Sequence, residues 1–125
     1  MDAVALRGLL ENWLHTVCQG VPEQVVRLYA VDGILIGTFA KNIKQGRAQL
    51  LPYFRYFMGR KGLCGRVDSF IPQFFGGLGI ASGVYTFYWV NEKGMPVEAQ
   101  ARYSFVFKPT PRGWKILNHH SSAVP

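Results

Sequence analysis

Gly79–Val90, GIASGVYTFYWV, decides the fold. Twelve residues rich in aromatic and β-branched types, without proline or a helical apolar stripe, read as one long β-strand. Three more stretches of the same character surround it: Val67–Phe75, Met95–Phe107 and Gly113–Ser121. Gly-Gly, Asn-Glu-Lys-Gly and Pro-Thr-Pro-Arg separate them, and these are turn sequences. Long strands joined by tight turns are expected to curl into a strongly bent antiparallel sheet. Tyr85–Val90 and Tyr103–Phe107 are apolar or aromatic on both faces, whereas a sheet buried on one side alternates more cleanly. The outer face (Phe87, Trp89, Phe105, Phe107) is therefore expected to pack on another subunit, giving at least a dimer.

Upstream of the strands the period changes. Leu6, Leu9, Leu10, Trp13, Leu14 and Val17 recur at three and four residues, the stripe of an amphipathic helix from an Asp2 cap to Cys18, stopped by Gly20. Pro22 opens a second short helix carrying Val25, Val26 and Tyr29. Asp32-Gly33 is a turn signal, and Ile34–Phe39 reads as a short strand. From Gly46 a third helix places Leu50, Leu51, Phe54, Phe57 and Met58 on one side, with Pro52 bending its first turns. Helices first and strands afterwards define an α+β domain, one domain over residues 1–125, with the helices on the concave face of the sheet.

Composition narrows the function classes. The chain is 49% hydrophobic, 14% aromatic and 17% charged, which excludes intrinsic disorder. No apolar run is long enough to span a membrane, and the acidic, basic-poor start MDAVALRGLLENW is not a secretory signal. Cys18 and Cys64 are too few for a disulfide framework and suit a reducing compartment, the cytosol. Seven of the 14 basic residues, Lys41, Lys44, Arg47, Arg55, Arg60, Lys61 and Arg66, lie between Asp32 and Asp68 with no acid among them. Such a field attracts anions or an acidic partner, or simply forms a solvated basic face. No nucleic-acid-binding motif accompanies it.

The candidate chemistry lies near the end of the chain. In Asn118-His119-His120-Ser121-Ser122, adjacent side chains of a strand point to opposite faces, so the two histidines do not share one metal ion, and no metal-ligand spacing occurs elsewhere. His119 shares a face with Ser121; Asn118, His120 and Ser122 share the other. Same-face neighbours are about 7 Å apart, so a Ser–His pair needs an intervening group. Arg102, inside an apolar strand, either meets water or reaches a cavity where it clamps a planar anion. Thr38, Tyr53, Tyr56 and Tyr85 are hydroxyls in apolar surroundings. The acids lie mostly at turns and helix starts; only Asp68 and Glu98 lie on strands, which disfavours proton-abstracting isomerases and cyclases.

These residues add up to a resemblance. The helical opening, Gly46-Arg47-Ala48-Gln49-Leu50-Leu51-Pro52-Tyr53-Phe54, Ser82–Phe87, Ala101–Phe107, and Trp114-Lys115-Ile116 leading to His119-His120-Ser121-Ser122 and Pro125 resemble the NTF2-like superfamily over nearly the whole chain. Within it they are closest to domains related to the association domain of calcium/calmodulin-dependent kinase II. Leu35-Ile36-Gly37-Thr38-Phe39-Ala40 and the terminal motif further resemble the iota-class carbonic anhydrases, some of which work without a metal.

That resemblance implies a cone-shaped α+β domain that hydrates CO2 to bicarbonate without a cofactor. It assigns Thr38, Tyr53, His119 and Ser121 to the bicarbonate pocket, with Tyr56 the rival of Tyr53 and His120 with Ser122 the rival pair. Arg102 and Tyr85 are the further substrate contacts. Asn118 departs from members with three consecutive histidines. The implied partners are CO2 or bicarbonate, or another small anion, and further copies of the chain, with no nucleic acid or membrane. The implied location is the cytosol or a bacterial CO2-fixing compartment. The same superfamily supplies non-catalytic oligomerisation hubs and SnoaL-like isomerases or cyclases, which are the alternatives.

Overall fold

The computed structural model describes residues 1–125. Helix α1 spans Ala3–Gln19: the Asp2 carboxylate accepts from the Ala5 N–H at 2.8 Å, and Gly20 ends the helix in the left-handed region at φ 82°. Its stripe of Leu6, Leu10, Trp13, Leu14 and Val17 is buried. Helix α2 (Pro22–Val26) begins at its proline, whose missing N–H costs nothing there. Helix α3 (Arg47–Phe57) runs through Pro52 and buries Leu50, Tyr53, Phe54 and Phe57.

Six strands complete the chain: β1 (Tyr29–Ile36), β2 (Lys44–Gln45), β3 (Lys61–Phe75), β4 (Leu78–Val90), β5 (Pro96–Thr110) and β6 (Gly113–Ala123). They form one sheet in the order β2-β1-β6-β5-β4-β3. The sheet is antiparallel except at its middle, where β1 and β6 run parallel. Asp32-Gly33 is not a turn: β1 passes straight through it, with a break in register against β6 between Tyr29 and Ile34. The strand also ends at Ile36, so Gly37–Ala40 fold as a turn over the mouth of the cone. β3 begins at Lys61, six residues before the patterned run, because Gly62, Gly65 and the basic residues hide its alternation.

One expectation needs correcting. Phe87, Phe105 and Phe107 point into the concave core with Tyr85 and Tyr103, and Trp89 packs against that core as well. They form no outer interface. The convex face carries Arg66, Asp68, Glu98, Arg102, Ser104 and His120. Cys18 and Cys64, with Cα atoms 4.5 Å apart, are paired as a disulfide that ties the end of α1 to β3.

Glycines set two close approaches. A Cβ at Gly65 would lie 2.9 Å from Leu14 Cδ2 on α1, so the bare backbone lets the helix sit low on the sheet without displacing that side chain. At Gly37 a Cβ would lie 2.6 Å from the Tyr53 ring, so the turn and α3 meet through that glycine. No helix is long and apolar enough to cross a membrane.

Candidate functional site

The strand period places β6's side chains alternately inside and outside the cone. His119 and Ser121 are buried, while His120 is exposed. Since β6 lies between β1 and β5, His119 pairs with Leu35 on one side and Phe105 on the other, and stacks on the Phe105 ring at 3.8 Å. Beneath it is a cavity of about 10 Å3, room for one water-sized molecule. Thr38, Phe39, Tyr53, Tyr85, His119 and Ser121 line it, among apolar residues from α1, α3 and β4.

The polar lining forms two hydrogen-bonded groups. Trp13 Nε1–H donates to Tyr29 Oη at 3.2 Å, and Tyr29 Oη lies 2.7 Å from His119 Nδ1. His119 Nε2 lies 3.1 Å from Tyr85 Oη, and Ser121 Oγ lies 2.7 Å from Thr38 Oγ1. Direction follows from the fixed donor at the inner end. The Tyr29 hydroxyl already accepts from Trp13, so its own proton goes to Nδ1, leaving Nε2 protonated. Nε2 then donates to Tyr85 Oη, and the part-buried Thr38 hydroxyl, bonded to Ser121, lies at the cavity mouth.

Burial sets the charge state. His119 is fully enclosed, and loss of hydration, with a smaller repulsion from His120, lowers its pKa to about 3. It is neutral at physiological pH. Burial raises the Tyr29 and Tyr85 phenols well above their usual range, so they too remain protonated. Tyr53 is raised to about 12 by burial, against the pull of a bond from the Phe39 backbone and the nearby charge of Arg60.

The structure thus brings together Thr38, Tyr53, Tyr85, His119 and Ser121. It separates the rest. Tyr56 is on the solvent side of α3, 62% exposed, because it falls off the helix's buried stripe. His120, Ser122 and Arg102 are on the convex face, where Arg102 reaches the Ser122 hydroxyl at 3.3 Å. Of the two options open for Arg102, water is the outcome.

Sequence reasoning missed Tyr29, Trp13 and Arg60. Tyr29 and Trp13 were read as helix-face core residues, and only the assembled sheet shows that their polar atoms meet His119. Arg60 lies just beyond α3, donates to the Tyr56 and Phe57 carbonyls, and stacks its guanidinium 4.4 Å from the Phe39 ring and 5.2 Å from Trp89. It is the cation at the cavity's edge, and its place among aromatic neighbours was the available signal. No three His, Cys, Asp or Glu side chains come together as a metal-binding group.

Helices closed over the concave face of a six-stranded sheet, with a small pocket at the mouth, define an NTF2-like domain of cystatin-like fold. The chain belongs to the calcium/calmodulin dependent protein kinase II association domain family, whose model matches residues 3–125. A crystal structure from Xanthomonas campestris, provisionally assigned to that same domain, is 32% identical, with a TM-score of 0.93 over 100% of this chain and 89% of that one. The hub homology domain of the corresponding kinase from Chlamydomonas reinhardtii is 17% identical, with a TM-score of 0.79 over 99% and 100% of the two chains. An NTF2-like protein from Streptomyces avermitilis, provisionally a dehydratase, is 17% identical, with a TM-score of 0.83 over 97% and 95%. No curated protein matches at a significant level.

Proposed function

We propose that the chain is a metal-independent carbonic anhydrase working as a homo-oligomer, with the cone cavity as its active site. The observation that carries this reading is the Thr38–Ser121 hydroxyl pair, 2.7 Å apart at the mouth of an apolar cavity and backed by a neutral histidine. The cavity takes one water, held by the Thr38 and Ser121 hydroxyls; CO2, linear and apolar, approaches from the mouth beside Phe39. The water oxygen attacks the carbon, its proton leaves to solvent at the mouth, and the new C–O bond leaves negative charge on the CO2 oxygens. Thr38, at the mouth, donates to the charge as it develops, and Arg60 favours the anion through space.

His119 is a positioning residue in this scheme. Its low pKa makes it a poor proton acceptor, and its bonds to Tyr29 and Tyr85 hold those hydroxyls in the cavity wall. Without a metal to acidify the water, turnover falls far below that of zinc enzymes.

Stopped-flow CO2 hydration on chelator-treated protein tests the reading. Wild-type activity should survive chelation, and Ser121→Ala or Thr38→Ala should lower it about a hundredfold, the effect of losing one preorganised donor. Activity equal to the uncatalysed rate, or unchanged in both variants, overturns it.

A non-catalytic oligomerisation hub is the second reading. Family membership favours it, as do Ile71, Phe74 and Phe75, all about half or more exposed near the tip of the β3–β4 hairpin. An isomerase using a carboxylate base finds no acid in the cavity lining.

A further inference from the structure

Away from the cone, the end of the sheet where β1, β5 and β6 meet the start of α3 carries a groove of about 300 Å3. Arg47, Lys108, Arg112 and Lys115 line it, with Asp32 the single acid. We propose that this groove binds a small organic polyanion bearing phosphate or carboxylate groups.

Three observations support it. Lys108 and Lys115 are direct cross-strand partners on β5 and β6. Like charges directly opposite one another destabilise a sheet, so this pairing works against the fold unless an anion lies between them. None of the four cations is paired with a carboxylate; the chain's ion pairs involve Arg7, Arg55 and Arg66. Two of the four are held in place by uncharged partners, which fixes their position without cancelling their charge. Arg47 donates to the Tyr29 carbonyl at 2.9 Å and Lys115 to the Arg27 carbonyl at 2.9 Å.

The groove is also shaped. Thr110 Oγ1 donates to the Gly113 carbonyl at 2.6 Å and accepts from the Arg112 N–H at 3.2 Å, holding the hairpin that carries Arg112. Its volume is at the lower end of sites for small organic ligands, larger than a bare ion requires. Several cations converging on one concavity suit a ligand with at least two negative groups, each meeting charge-assisted donors.

Calorimetric titration with pyrophosphate and with citrate at one ionic strength tests the proposal, using wild type and Lys108→Gln/Arg112→Gln. Binding should weaken about tenfold or more in the double variant, and the anion should raise the wild-type melting temperature. Stronger binding of pyrophosphate points to a phosphate-bearing ligand, stronger binding of citrate to a polycarboxylate. Lys108→Gln alone supplies a readout that needs no ligand: it should melt no lower than wild type in the absence of anions, because it relieves the repulsion. No binding of either anion overturns the proposal. So does equal affinity in the double variant, or an equal loss in an Arg66→Gln control on the convex face.

Discussion

His119 illustrates how much one buried side chain can govern. Its folded-state pKa of about 3 is below the ordinary 6.5, so between those values the unfolded chain binds a proton that the folded chain refuses. Stability should therefore be intact above pH 6.5 and fall as the pH drops toward 3, by up to about 1.4 kcal/mol per pH unit. Denaturant melts from pH 7 to 4 check this, and His119→Asn should flatten the slope. Asp68, held below its usual range chiefly by the Thr86 hydroxyl, loses its contribution only below about pH 4, where most of the His119 effect has already developed. Strand alternation alone assigned His119 and Ser121 to one face and His120 to the other. It gave no access to Tyr29 and Tyr85, whose hydroxyls arrive from β1 and β4, nor to Arg60, whose neighbours are brought together by α3 and the Phe39 turn.

At the scale of elements, the long strands and capped helices were legible because pattern, caps and turn residues agreed. The misreadings fell where one residue type has two uses. Asp32-Gly33 carries the composition of a turn, yet here it relaxes the register of β1 against β6. Two glycines differ in what they would tolerate. At Gly37 an added methyl meets the Tyr53 ring, and Gly37→Ala should cost about 1–3 kcal/mol and displace that ring, read by thermal melting and by the phenol's titration near pH 12. At Gly83 it would lie 2.1 Å from the Ser69 carbonyl oxygen, backbone that cannot step aside without unpairing β3 from β4. Gly83→Ala should be far more damaging, with little folded protein recovered.

For the molecule as a whole, the Cys18–Cys64 bridge closes a loop between residues 46 apart. In the chain-entropy account a loop of that size stabilises by about 3–4 kcal/mol. Reduction, or Cys18→Ser, should lower the denaturation midpoint accordingly and leave the proposed CO2 hydration unchanged, since neither cysteine lines the cavity. A loss of activity with full stability would instead link the bridge to the site. The count of two cysteines was visible in the sequence, but their closeness depends on how low α1 sits on β3, which Gly65 helps to set.

The order of the sheet also bears on how the chain is made. β6 is synthesised after every strand it joins, yet it lies between β1 and β5. Until it leaves the ribosome, the β2–β1 pair has no lateral connection to β5-β4-β3, and Tyr29, Tyr85 and Phe105 lack the histidine they enclose. A nascent chain therefore keeps its aromatic interior uncovered until the strand carrying His119 and Ser121 joins its two halves.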